Sequence, residues 1–287
     1  MRGSRADIAL VIVLRLLAAV AGAIVVLIGV FLVMESVPAL REAGILRFFT
    51  DDAWHPASGM YGLVPMVWGT LFAMTGAVIL ATPLGILSAV FVRWYAPPAL
   101  RTPYRRLVEL LAGIPSVVYG FWGLVVLVPL IGRMHPPGPS LLAGIVILAI
   151  MILPTIALMA DASFANVPES YLRGAASLGL SKWGTLRGVV FPAARSGLFT
   201  GVILETGRAI GETMAILMVA GNVVQTPDSL FAPMRTLTAN IALEMAYATG
   251  SHRSALFVSG LVLLGMIVAL AFGADLLAGK AKVHAHA

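Results

Sequence analysis

Glu205, Arg208 and Glu212 interrupt an otherwise uncharged stretch that runs from Ser196 to Asn222. Spaced three and four residues apart, they share one face if that stretch is helical. A guanidinium between two carboxylates supports two kinds of chemistry. It can hold a passing anion through its planar fork of donors, with Glu212 tuning or releasing that anion. It can equally form a closed Glu–Arg–Glu clamp between helices, and spacing alone leaves both readings open. Ser116 and Tyr119 place hydroxyls in a second apolar stretch, where they either line the same path or join helices. Groups for covalent chemistry are missing. There is no Cys, and the five His (His55, His135, His252, His284, His286) are scattered, with the last two in a short polar tail that reads as solvated. No Ser/His/Asp set and no paired-Asp constellation is visible. The nearest approach to a phosphate-binding loop, Gly273 followed by Gly279-Lys280-Ala281, has five residues between its glycines and Ala where a magnesium-binding hydroxyl is needed. The expectation is a non-enzyme with no cofactor of its own.

Composition says where these charges must sit. Of 287 residues, 60% are hydrophobic and 11% charged, and the mean hydropathy is +0.97. Soluble domains run near ~45–50% apolar and ~25% charged, so a water-soluble globule is excluded. Disorder is excluded by the same figures. The chain belongs in a bilayer, where each mid-membrane charge costs ~2.5–3.5 kcal/mol and must pair or face water.

Six stretches are long enough to span. Four uncharged runs are clear: Leu16–Met34, Leu110–Gly132, Met134–Ala160 and Ser254–Ala274. A fifth occupies Val64–Val92, and the sixth is the charged stretch Ser196–Asn222. The first is too long for a signal core and lacks a small-x-small cleavage site, so it reads as a permanent anchor. With the N-terminus inside, 13 Lys and Arg fall on inside segments and 5 on outside ones, with Arg208 in the membrane. The positive-inside rule then places both termini in the cytoplasm. The net charge of +6 is mostly this topology signal, and it argues against a nucleic-acid partner. The prolines at 65, 83, 115, 129 and 154, together with 29 Gly, fit closely packed, kinked helices.

Between the fourth and fifth spans lies a polar segment, Asp161–Arg195. Pro168 opens a short helix over Glu169–Leu178, Gly179 ends it, and Ser181 caps a second over Lys182–Val190 that Pro192 stops. Trp183, Leu186, Val189 and Val190 make an apolar stripe on the second helix. Such a stripe either docks a partner or lies on headgroups and the protein's own bundle.

Here the chain resembles a known family. Arg173-Gly174-Ala175, then Gly179, then Val189-Val190-Phe191-Pro192 resembles the EAA loop of ABC-importer permeases, with Arg173 and Gly174 standing where the Glu and first Ala belong. The segment 109–120 (ELLAGIPSVVYG) and the segment 207–215 (GRAIGETMA) are similar to signatures of the phosphate-specific transport (Pst) permeases. Segments 35–40 and 65–71 resemble the PstC-type subunit, and the likeness covers about residues 30–275.

The resemblance implies an all-α polytopic membrane protein of the type I importer permease class. It would form a single domain over 1–287, with a core at about 64–278, a coupling loop at 161–195 and a periplasmic loop at 35–63. It implies an ATP-driven phosphate importer in which Arg208, Glu212 and Glu205, with Ser116 and Tyr119, line the path. Arg173, Gly174, Ala175, Gly179, Trp183 and Pro192 would couple to the ATPase. The implied partners are a PstA-type permease, a PstB-type ATPase dimer carrying ATP and magnesium, a periplasmic or lipid-anchored phosphate-binding protein, and membrane lipids. The alternatives are a sister PstA-type subunit or the permease of another oxyanion importer.

Overall fold

The computed structural model of the chain describes residues 5–283, and the tail with His284 and His286 lies outside them. Helix α1 spans Arg5–Ala43, well beyond Leu16–Met34 at both ends. The polar residues past Met34 do not break it, because Ser36 Oγ turns back to donate to the Leu32 carbonyl at 2.7 Å. The segment expected as a loop over 35–63 carries structure: a short α2 (Arg47–Thr50), then β1 (Trp54–His55) paired antiparallel with β2 (Met60–Tyr61).

Helix α3 (Val64–Val90) continues through a widened π turn to Tyr95. Helix α4 (Pro98–Ala112) follows, then α5 (Ser116–Trp122) and α6 (Val128–Met134), the last two joined by another π turn. Helix α7 (Leu141–Ala165) is the most deeply buried span. Beyond it come α8 (Glu169–Ser177), α9 (Lys182–Thr185), α10 (Phe191–Gly211), α11 (Met214–Val219), α12 (Leu237–Glu244) and α13 (Gly250–Val283).

Among the described residues, six stretches are long and apolar enough to cross a bilayer: Ala9–Ala43, Val64–Tyr95, Ser116–Met134, Leu141–Ala165, Lys182–Gly211 and Gly250–Leu276. Besides the lengthened first span, three further boundaries differ markedly from the hydropathy reading. The third span starts at Ser116, not Leu110, because Gly113-Ile114-Pro115 breaks the chain and leaves Leu110 on α4. The fourth starts at Leu141, since 135–140 form a turn capped by Ser140 Oγ, which accepts from the Ala143 amide. The fifth is one helical run from Lys182 to Gly211, because the run widens into a π turn over Leu186–Val190 just before Pro192, which accommodates the proline's missing N–H, and the helix passes through. The second short helix of the 161–195 segment and the fifth span are therefore continuous.

The core forms where α3 meets α7. Ala73, Ala77, Ala81, Gly85 and Ala89 recur every four residues and give α3 a nearly flat face. A Cβ on Gly85 would lie 2.8 Å from Ile156 Cγ2, and one on Gly76 would lie 2.6 Å from Ile145 Cδ1. Small residues here let the backbones approach, which is how helices gain packing energy in lipid. Helices α5, α10 and α11 surround α7, while α1 packs on α13 through Phe31 and Phe257, rings 5.5 Å apart edge to face.

Candidate functional site

Arg208 lies in the last turn of α10, where the helix dipole favours a cation. One turn earlier, Glu205 is almost fully buried, and its Oε2 lies 3.7 Å from Arg208 Nη1. That oxygen is desolvated and has no hydrogen-bond donor, so its stabilisation comes chiefly from the guanidinium. Arg208 Nη1 also donates to Thr155 Oγ1 at 3.3 Å. Thr155 stands near the middle of α7, which puts the guanidinium deep in the bundle. The side chain of Arg208 is nonetheless 37% exposed. Among the described residues its Nε and Nη2 have no hydrogen-bond partner, which leaves donors available to an anion.

Glu212 is placed differently from the helical expectation. Helix α10 ends at Gly211, and Glu212 adopts an extended backbone (φ −67°, ψ 128°), so it leaves the face shared by Glu205 and Arg208. Its Oε1 accepts from the Ala215 amide at 3.0 Å and caps α11, while its carbonyl accepts from Thr238 Oγ1 at 2.8 Å. The three-residue clamp is thus a Glu205–Arg208 pair plus a capping carboxylate.

Ser116 opens α5 and is half-buried. Tyr119 is buried within electrostatic reach of Arg208, and its hydroxyl donates to the Leu111 carbonyl at 2.8 Å, bracing the break between α4 and α5. Gly120 lets α11 pack on α5: a Cβ there would meet Ala215 Cα at 2.8 Å. Thr155 was missed by sequence reasoning, although a signal existed. It is the only polar side chain between Leu141 and Met159.

At one end of the bundle, α8 and α9 form the expected helix–turn–helix. Gly179 has φ +67°, the Leu180 amide reaches back to the Ala175 carbonyl at 3.1 Å, and Ser181 Oγ accepts from the Gly184 amide at 3.1 Å. Ala175 is buried, while Arg173 and Gly174 are exposed, and Pro192 lies in the first turn of α10. The apolar stripe divides. Leu186 and Val190 are fully buried in a cluster with Phe164, whereas Trp183 is 57% exposed beside exposed Tyr171, Leu178 and Leu180. Only the second set is free to meet a partner.

At the opposite end, a polar cluster joins residues remote in sequence. Glu244 accepts from Trp54 Nε1 at 2.9 Å and from Arg235 Nη1 at 2.6 Å, and His252 Nε2 lies 2.8 Å from its Oε2. Arg235 also donates to Asn240 Oδ1 and to the Asn222 carbonyl. No local spacing announces a cluster whose members lie up to 198 residues apart, from Trp54 to His252.

Residues 81–282 match the family of binding-protein-dependent transport system inner membrane components. The chain belongs to that family. The permease is 38% identical over 287 residues to the phosphate transport system permease protein PstC of Xylella fastidiosa, with 92% of this chain and 87% of the relative covered. It is 38% identical over 262 residues to PstC of Mesorhizobium japonicum, covering 84% and 79%. The probable ABC transporter permease protein YqgH of Bacillus subtilis is 40% identical over 249 residues, covering 84% and 81%. Among solved structures, the permease resembles a chain of a bacterial ABC transporter for alginate import (TM-score 0.62, 12% identity, 92% and 95% covered). It also resembles one of the inward-facing MetNI methionine ABC transporter (TM-score 0.60, 20% identity, 80% and 99% covered). Those two likenesses speak to the fold. The protein is a multi-pass membrane permease of the ABC-importer type.

Proposed function

We infer that this chain is the PstC-type permease subunit of an ATP-driven inorganic phosphate importer. The observation that carries the reading is Arg208, a guanidinium deep in the bundle with its buried counter-charge on one side and open space on the other. Phosphate brings one to two negative charges and does not cross hydrocarbon unaided, so a fixed cation on the path is physically required. Arg208 offers a planar fork to two phosphate oxygens, while Glu205 behind it keeps the empty site from carrying an uncompensated buried charge. Glu212 positions α11 beside that fork, and Ser116 and Tyr119 hold the neighbouring helix break.

A PstA-type permease completes the path in this reading. A PstB-type ATPase dimer, carrying ATP and magnesium, docks on Tyr171, Leu178, Leu180 and Trp183 around the Gly179 turn. The α8–α9 end then faces the cytoplasm with both termini, and the Trp54–Glu244 end meets a periplasmic or lipid-anchored phosphate-binding protein. Relatives named as phosphate permeases PstC favour this assignment over a sister subunit or another oxyanion importer. No cofactor is assigned to this chain itself.

Uptake of phosphate by proteoliposomes, normalised to assembled complex, tests the reading. Arg208→Ala should abolish transport, and Arg208→Lys, which keeps charge but loses the fork, should transport poorly. A purely structural pair predicts less assembled protein with unchanged uptake per complex, and that result would overturn the transport role.

A further inference from the structure

A second cationic site lies away from Arg208, where α4 leaves the bundle. Only two residues, Ala96 and Pro97, separate the end of the second span at Tyr95 from α4, so this helix lies at the membrane–water boundary. At 100° per residue, α4 presents three arcs. Tyr104 and Val108 face the bundle, with Tyr104 Oη 2.9 Å from Ser88 Oγ on α3. Leu100, Leu107 and Leu110 form an outward apolar arc and are 52%, 53% and 71% exposed. Arg101, Arg105, Arg106 and Glu109 make the polar arc. Arg106 borders the apolar arc, one turn from Leu110.

The polar arc faces Arg93 and Asp161 across a cleft of about 610 Å³. Four guanidiniums line it against two carboxylates, Glu109 and Asp161, leaving a net charge of 4 − 2 = +2. Arg93 and Arg105 are engaged: Arg93 Nη1 lies 3.1 Å from Asp161 Oδ1, and Arg105 contacts both Asp161 and Glu109. Arg101 is anchored only through Nε, which donates to the Ala96 carbonyl at 3.1 Å. Arg106 has no ion pair or hydrogen bond among the described residues. The excess charge therefore sits on Arg101 and Arg106.

We propose that this cleft binds the phosphodiester headgroup of an anionic phospholipid, with Arg101 and Arg106 as its ligands and the Leu100–Leu107–Leu110 arc against the acyl chains. The chemistry is complementary on both sides. A headgroup phosphodiester, with its single negative charge, offsets half of the excess, and its acyl chains cover leucines that water would otherwise meet. A free oxyanion satisfies the arginines and leaves the leucines unexplained. Arg93, Arg105 and Asp161 form the rigid wall that holds the cleft open. The site rests only on the chain being a membrane protein, so it stands or falls apart from phosphate transport.

Native mass spectrometry of the full chain, purified in an uncharged detergent and titrated with phosphatidylglycerol or phosphatidylcholine, tests the site. The wild type should retain phosphatidylglycerol in clear preference, and millimolar inorganic phosphate should not displace it. R101Q/R106Q should weaken that retention about 30-fold, roughly fivefold per charge removed, and leave phosphatidylcholine unchanged. R101K/R106K should keep most of the binding, because attraction to a headgroup follows charge. R106Q alone alters a side chain without internal partners, so it keeps the test open if the double variant folds poorly. Equal retention of both lipids, or unchanged retention by R106Q and the double variant, overturns the proposal. Displacement by inorganic phosphate reassigns the cleft to a free oxyanion. Lost capture of an ATPase subunit with unchanged lipid binding reassigns it to a protein partner.

Discussion

Replacing Glu244 with Gln should unfasten the Trp54–Arg235–His252 cluster at the end of the bundle remote from α8–α9. The carboxylate is 10% exposed and has three partners within 2.9 Å. It can only accept, so His252 Nε2 carries the proton between them. Gln keeps one acceptor oxygen and turns its amide toward a donor, leaving at least one buried donor unmet. Charge-assisted hydrogen bonds contribute roughly 1.5–3 kcal/mol each, and breaking a buried pair costs roughly 3–5 kcal/mol. Arg235 retains Asn240 and the Asn222 carbonyl as acceptors, which lowers the expected loss to about 2–3 kcal/mol.

The assay is thermal unfolding of purified protein in detergent, where the melting temperature should fall by about 3–5 °C. A pH series sharpens it. Burial pushes the Glu244 carboxyl up, but hydrogen bonds from Trp54, His252 and Arg235 outweigh it and hold the group below its ordinary 4.5. A carboxyl depressed in the folded state stabilises above its unfolded value and loses that contribution as pH falls through its folded value. The gap between wild type and Glu244→Gln should therefore hold from pH 7 down to the ordinary 4.5 and close below it. Equal melting at neutral pH, or a gap that widens on acidification, would refute the account.

Other substitutions probe the remaining elements. Gly179→Val has space for its side chain but must enter φ +67°, so it should leave the protein assembled yet lower phosphate uptake per ATP hydrolysed; normal coupling would remove the turn from the docking role. Gly120→Val would bring a Cβ to 2.8 Å from Ala215 Cα, forcing α11 off α5 by at least 3.4 − 2.8 = 0.6 Å, and should cost about 1–3 kcal/mol together with transport; a fully active, equally stable variant would show that this close approach does not position the site. Cysteine at Ser58, exposed in the β1–β2 segment, should react with impermeant maleimide in intact cells. Reaction only after the inner face is opened would invert the orientation.

Hydropathy made the six spans legible because burying ~20 apolar residues in lipid outweighs local detail. Their ends were less so, since helices are stopped by backbone geometry rather than by the loss of hydrophobicity. Gly113-Ile114-Pro115 ends one helix inside an uncharged run, while Pro192 fails to end another because a π turn over Leu186–Val190 just before it absorbs the missing N–H. The Gly179 turn was readable because a left-handed residue followed by a Ser cap has a local signature. The Glu244 cluster was not, because its partners meet only after α12 and α13 bring the chain back to the β1–β2 ribbon.

Arg208 and its two carboxylates show where periodicity reaches its limit. The i−3 relation to Glu205 survives because both residues lie within α10. The i+4 relation to Glu212 requires one more helical residue than the chain supplies, since Gly211 is the last. That single residue changes the electrostatics of the site. With Glu212 on the same face, Arg208 would be enclosed by carboxylates, and an arriving anion would meet net negative charge. With Glu212 turned to cap α11, Arg208 is compensated from one side only, and its outward donors remain unclaimed. On the proposed transport role, an anion reaching this point would replace no existing ion pair. It would complete a half-filled coordination sphere, whose strength Glu205 would moderate so that the anion could leave again.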